Sequence, residues 1–117
     1  MKDNELFELC KEVSDVLPEW RYTGRIYSKE GDILQTNSPT LAKLSVPVYT
    51  SDYLLEKLPH RIGTPRFYQY LRMSKAEMSY CFAYMSPELT FGIQGTANNP
   101  LKALLKLTLA LKEAGEL

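Results

Sequence analysis

Two runs in this 117-residue sequence interleave arginine with aromatic rings: Trp20, Arg21, Tyr22 and Arg25 in the first, and Arg61, Arg66, Phe67, Tyr68, Tyr70 and Arg72 in the second. Rings with adjacent guanidinium groups suit two kinds of recognition. Tyrosine, tryptophan and arginine dominate the energetics of protein interfaces. Aromatic faces flanked by cations also stack bases and track the backbone of single-stranded nucleic acid. The fold alone accounts for the same residues too, since strands favour aromatics and surfaces favour arginine.

Other chemistry is thinly supplied. His60 is the single histidine, the natural place for a general base, and Asp52 or Glu56 could orient it. The thiols are Cys10 and Cys81. No spacing ties these groups together, so the expectation is a protein that is not an enzyme, with no catalytic residue assigned. Two cysteines far apart, with no CxxC, read as buried reduced thiols; with one histidine they supply too few soft ligands to favour a zinc site, and no metal or cofactor is expected. The glycines are scattered singly. GIQGTANNP does run into a helix start, where an anion could sit, but a loop shaped only to cap the helix is the better reading. Glu8 and Glu12 lie one helical turn apart, the ordinary place for solvated charge.

The formal charge is zero, which removes the simplest argument for nucleic acid or membrane as partner. It conceals a polarity. Residues 1–19 hold two lysines against six acids, a balance of −4, whereas residues 57–75 hold Lys57, Arg61, Arg66, Arg72 and Lys75 with no acid, a balance of +5. No apolar run reaches the roughly 18 residues of a spanning helix, and MKDNELFELC has acids where a signal peptide has a basic then apolar run. A soluble, cytoplasmic protein is expected.

The elements that must position these residues follow from periodicity. At 44% hydrophobic and 24% charged, the composition is that of one globular domain covering residues 1–117. Leu6, Leu9, Cys10, Val13, Val16 and Leu17 recur at helical spacing from about residue 4, with Asp3 or Asn4 as cap and Pro18 as stop. WRYTGRIY alternates as a half-buried strand, Trp20, Tyr22, Gly24 and Ile26 on one face, and a turn through Ser28–Asp32 leads to a short return strand at Ile33–Gln35. Pro39 and Pro47 forbid a central strand through the next stretch, which reads as an irregular crossing with a short edge segment. TSDYLLEKLP is a short helix capped by Thr50 or Ser51 and ended by Pro59, and HRIGTP a loop.

RFYQYLRM (66–73), EMSYCFAYM (77–85) and LTFGIQG (89–95) are three strands joined by Ser74–Ala76 and Ser86–Glu88, a meander. Asn99 caps a last helix with Pro100 at its first position and Gly115 at its end. Its leucines cover more than a narrow stripe, so it needs a large partner surface, which the meander supplies. The architecture expected is α+β: an antiparallel sheet of about four to five strands, a C-terminal helix packed across one face, and an N-terminal amphipathic helix. The expected core is Leu6, Leu9, Val13, Trp20, Ile26, Leu55, Leu71, Phe82, Phe91, Ile93, Leu101, Leu104, Leu105, Leu107 and Leu111.

A family likeness enters in the final third. Strand residues followed by Gly95-Thr96, an Asn/Pro start, Ala103-Leu104-Leu105-Lys106-Leu107 and the ending Glu113-Ala114-Gly115-Glu116-Leu117 resemble the tail of small uncharacterised proteins carried by bacteriophages and prophages. Tyr49, Ser51, Asp52, Tyr53, Leu54 and Leu58-Pro59 resemble a motif upstream of that tail, and the likeness covers about half the chain. The same strand, glycine-threonine turn and helix order is similar to the HicB-type antitoxins. The turn here is longer by Asn98 and Asn99, and the acids usual early in that helix are absent; only the topology carries over, and no family catalytic residue maps onto this chain.

The resemblance, the lack of a catalytic constellation and the charge polarity together point to a small accessory protein of a phage or mobile element that works by binding a host or phage protein in the bacterial cytoplasm, with or without blocking it. The candidate partner-binding residues are Arg61, Arg66, Tyr68, Tyr70, Arg72, Arg21 and Arg25. Nucleic acid, or an antitoxin-type regulatory role using the same Arg/Tyr face, is the alternative. Patches of opposite sign on one molecule also suit a homodimer.

Overall fold

The computed structural model of the chain describes residues 4–20, 23–27, 32–35, 46–63, 68–85 and 91–117, with Asn4 and Phe91 described by their backbone alone. The architecture is α+β, and the chain divides into two compact units, residues 1–53 and 54–117.

In the first unit, helix α1 spans Asn4–Val16. Its buried stripe is Cys10, Val13, Ser14 and Leu17 with Leu9 beside it, while Val16, expected on the apolar face, is 40% exposed. Cys10, Val13, Ser14 and Leu17 lie three or four residues apart and so share one side of the helix, which leaves Val16 turned away. Ser14 tolerates burial because its hydroxyl donates to Lys11 O at 2.9 Å.

Pro18 ends the helix and opens a 3-10 turn, Pro18–Trp20, closed by Trp20 N donating to Leu17 O at 2.9 Å. Trp20 is buried as expected, but in this turn rather than in a strand. Proline fixes the backbone angle that such a turn needs, and it overrides the alternation. The strand expected over 20–27 is therefore shorter: β1 is Arg25–Tyr27, paired antiparallel with β2, Ile33–Gln35, in the expected hairpin. The segment 46–48 runs along the other side of β1, with Tyr27 N donating to Val46 O at 2.9 Å and Val48 N to Arg25 O at 3.0 Å, the short edge segment expected near Pro47.

Helix α2, Ser51–Lys57, is capped by Thr50, whose hydroxyl accepts from Tyr53 N at 3.2 Å. Leu54 is fully buried and Leu58 nearly so, whereas Leu55, expected in the core, is 44% exposed. Positions 54 and 58 are one turn apart and share a face; 55 points about 100° away from it.

The second unit is a four-stranded antiparallel sheet in the order β3-β4-β5-β6, with β3 at Arg61–Ile62, β4 at Gln69–Ala76, β5 at Ser79–Met85 and β6 at Phe91–Ala97. Strand β3 falls where a loop was expected, held by pairing of Arg61 with Tyr70 and Ile62 with Gln69. The turn expected at Ser74–Ala76 lies at Glu77–Met78 instead, because Ser74, Lys75 and Ala76 find ladder partners in Cys81, Tyr80 and Ser79. The connection expected at 86–88 and the segment 64–67 lie outside the described residues.

Helix α3, Pro100–Glu113, follows its expected signals at both ends. Asn99 Oδ1 accepts from Leu101 N at 2.8 Å and Lys102 N at 3.2 Å. At the other end Gly115 has φ 82°, Gly115 N donates to Lys112 O and Glu116 N to Leu111 O, the paired bonds of a Schellman cap. Leu104, Leu105, Leu107 and Leu111 are fully buried, and Thr108 joins them by donating its hydroxyl to Leu104 O at 2.8 Å. The helix packs on β6 at Gly95, where a β-carbon would overlap the backbone of Leu107 and Ala103. Gly95 is opposite Phe82, which is opposite Met73, so this residue row marks the helix side of the sheet.

Tyr84 fastens β5 to the start of β3: its buried phenol donates to Pro59 O at 2.6 Å, and burial pushes its pKa up to about 12. The unfolded chain, with Tyr84 near its ordinary value of about 10, loses this proton first as pH rises. The stability contributed by the buried neutral phenol is thus full below about pH 10 and is lost as pH rises toward about 12. Tyr84→Phe is expected to cost about 1 kcal/mol at neutral pH and to flatten the alkaline loss. Urea midpoints of both proteins at neutral and alkaline pH measure this; an alkaline loss as steep in the phenylalanine variant would rule out Tyr84 as its source.

Candidate functional site

The register of the sheet sorts the arginine and tyrosine residues. Arg61 pairs with Tyr70, and Tyr70 with Met85, so these three share a face; Arg72, two residues along β4, shares it as well. That face is opposite the one on which α3 packs, because the helix side carries Leu71, Met73 and Lys75 with their partners Tyr84, Phe82 and Tyr80. The face away from α3 is buried at Met85 and Ala83 and becomes exposed at Arg72, Ser74 and Ala76 on β4 and at Gln94 and Thr96 on β6.

At the β3–β4 end the side chains form a chain of ring contacts. The Arg61 guanidinium carbon lies 4.0 Å from the centroid of Tyr68, the Tyr68 and Tyr70 rings meet edge to face at 6.4 Å, and the exposed His60 ring meets Tyr70 the same way at 5.8 Å. Backbone pairing sets this up: Leu71 N donates to His60 O at 3.4 Å, which holds the residue before β3 alongside β4. A cation over a tyrosine face contributes about 0.5 to 1 kcal/mol at an exposed site, and edge-to-face rings a similar amount, enough to hold the group in one arrangement. The group presents positive charge beside flat, amphipathic surface.

Of the seven candidate residues, Arg61, Tyr68, Tyr70 and Arg72 come together on this sheet. Arg25 begins β1 in the other unit, exposed, its N–H and C=O bonded to the Thr23 hydroxyl at 3.3 and 2.9 Å. Arg21 and Arg66 lie outside the described residues. One further residue joins the group: His60, an aromatic neighbour of Tyr70. Lys75, expected in a turn, lies in β4 on the opposite face, over its cross-strand partner Tyr80 at 5.4 Å.

Cys10 belongs to the other unit, and Cys81 lies farther along this sheet. Burial pushes the Cys10 thiol above its ordinary value, with hydrogen bonds involving the Tyr49 backbone and the Tyr27 side chain pulling the other way, so it is poorly suited to act as a nucleophile. Cys81 points its sulfur toward Gln94 Oε1 at 3.7 Å and pairs with Ser74, three residues along the ladder from Leu71, about 10 Å at roughly 3.3 Å per residue. His60 is held beside Leu71, so no Cys81–His60 contact forms. Among the described residues no three metal-ligating side chains cluster, and no helix is long and apolar enough to cross a membrane. Neither protein-family models nor curated proteins nor solved structures give a match to this chain.

Proposed function

We propose that this protein acts by binding another protein through the face that carries Arg61, Tyr68, Tyr70 and Arg72, as a non-enzymatic accessory protein of a phage or mobile element that blocks a host or phage protein in the bacterial cytoplasm. The observation that supports binding most directly is the ring chain with Arg61 seated on Tyr68 at 4.0 Å. Such a group is already ordered before a partner arrives, so less side-chain entropy is lost on association. The edge-to-face contacts of Tyr68 and Tyr70 also favour a protein partner over nucleic acid, because base stacking needs an open ring face and Arg61 occupies one face of Tyr68.

The test is a tagged pulldown from bacterial lysate, with and without nuclease, comparing the natural protein with the Arg61→Glu, Arg72→Glu double variant. A stoichiometric protein that survives nuclease and is lost with the double variant is expected, with circular dichroism unchanged because both side chains are exposed. Capture that persists in the double variant would remove this face as the site. Capture that vanishes with nuclease, and falls steeply with added salt, would move the function to nucleic acid.

A further inference from the structure

The outer edge of β4 is paired with β3 only as far as Leu71, whose N–H points outward to His60 O. Alternation along a strand turns the N–H and C=O of Met73 and Lys75 the same way. Among the described residues no strand pairs with this stretch, and Arg72 to Ala76 are all exposed, Met73 at 57%. It is an open edge of about five residues, the template on which an extended chain adds as another strand.

We infer that this edge receives an extended acidic segment of the protein partner, added as a strand beside Arg72–Ala76. This rests on the protein-binding reading above and names the chemistry of the partner. The charge of the edge selects the occupant. Strand β4 carries Arg72 and Lys75 and no acid, so a second copy paired over the same stretch offers neither cation a counter-charge. An acidic segment meets the opposite condition. Its residue across from Arg72 lies on the face away from α3, beside the Arg61 and Tyr70 group, and its residue across from Lys75 lies on the α3 face. Carboxylates suit both positions, and an apolar side chain suits the position beside exposed Met73. The recognition pattern is therefore acid, apolar, any, acid, read along or against β4 according to the direction of the added strand.

The probe is a fluorescent hexapeptide with glutamates three residues apart and valine and threonine between them, measured by anisotropy against the full chain. Controls are the same peptide with lysine for glutamate, a copy N-methylated on the amides that would face β4, and a thymidine oligonucleotide. Saturable binding of the acidic peptide is expected, weakened at least tenfold by Arg72→Glu with Lys75→Glu and at least tenfold by Met73→Pro. Proline at 73 removes an outward N–H without breaking a ladder bond and without changing charge. The N-methylated peptide is expected to lose binding to the natural protein by a similar factor, which serves if Met73→Pro does not fold.

Equal binding of the N-methylated peptide would overturn strand addition, since charge alone would then suffice. Binding of the oligonucleotide in place of the peptide, or of no probe, would overturn it as well. So would self-association that Met73→Pro dissolves in sedimentation, because the edge would then be filled by a second copy. If the double Arg61, Arg72 variant loses its captured protein while Met73→Pro retains it, protein binding stands and the edge is not its seat.

Discussion

Gly95→Ala destabilises the second unit by about 3 kcal/mol or more, although it adds a single methyl group. The reason is where that methyl goes. A β-carbon on Gly95 overlaps Leu107 N and Ala103 O and lies 2.9 Å from Leu107 Cα, all backbone of α3. Side chains can rotate away from an intruding atom; a helix backbone moves only as a whole. Accommodating the methyl lifts α3 from β6, and the fully buried Leu104, Leu105 and Leu107 then lose contact on one side.

Gly92→Ala is the internal comparison. A β-carbon there meets mainly the far end of the Gln69 side chain, which can swing, with Tyr84 O at 3.0 Å, so about 1 kcal/mol is expected. Urea midpoints of the two variants, followed by circular dichroism, test the contrast. Similar midpoints would show that α3 does not depend on close approach at Gly95.

The contrast also shows what the sequence makes legible. Helix α3 could be read at both ends because its caps are local: Asn99, Pro100 and Gly115 act within a few residues. The meander was readable from alternation, and packing of the last helix on it from the width of the leucine face. Gly95 closes the strand expected over 89–95 and opens the run into the helix cap, and nothing in its neighbours marks it as a contact point, because the helix that excludes a side chain there is brought in by the tertiary fold. Strand β3 was hidden for a related reason. Two residues, Arg61 and Ile62, carry no period, and they form a strand only because Tyr70 and Gln69 lie opposite.

The candidate site divides the same way. Its residue types were legible, and so was the acid-free run from 57 to 75. Which of them meet was not, since the face of Arg61 depends on a pairing that residue spacing does not encode, and Arg25 belongs to the other unit. Nor was the open edge, which exists because β3 is two residues long while β4 is eight.

Leu54 and Leu55 put the same distinction to a test in which the chemistry is identical and only direction differs. The two leucines are adjacent in a seven-residue helix, and Leu55 was the one expected in the core. Leu54 is completely buried and Leu55 is 44% exposed. Leu54→Ala is expected to cost about 3 kcal/mol, since it removes transfer energy and leaves a cavity, whereas Leu55→Ala should change stability by about 0.5 kcal/mol or less. Both substitutions raise helix propensity slightly, so propensity cannot produce the difference. Leu58, on the Leu54 side of the helix and 6% exposed, should respond to alanine as Leu54 does. A helix of this length has little stability of its own and is held by the face it buries. Thermal unfolding of the three variants decides the matter: a large loss at 54 and 58 with little at 55 fixes that face, and a larger loss at 55 would mean that the helix is rotated by about 100° from the orientation described.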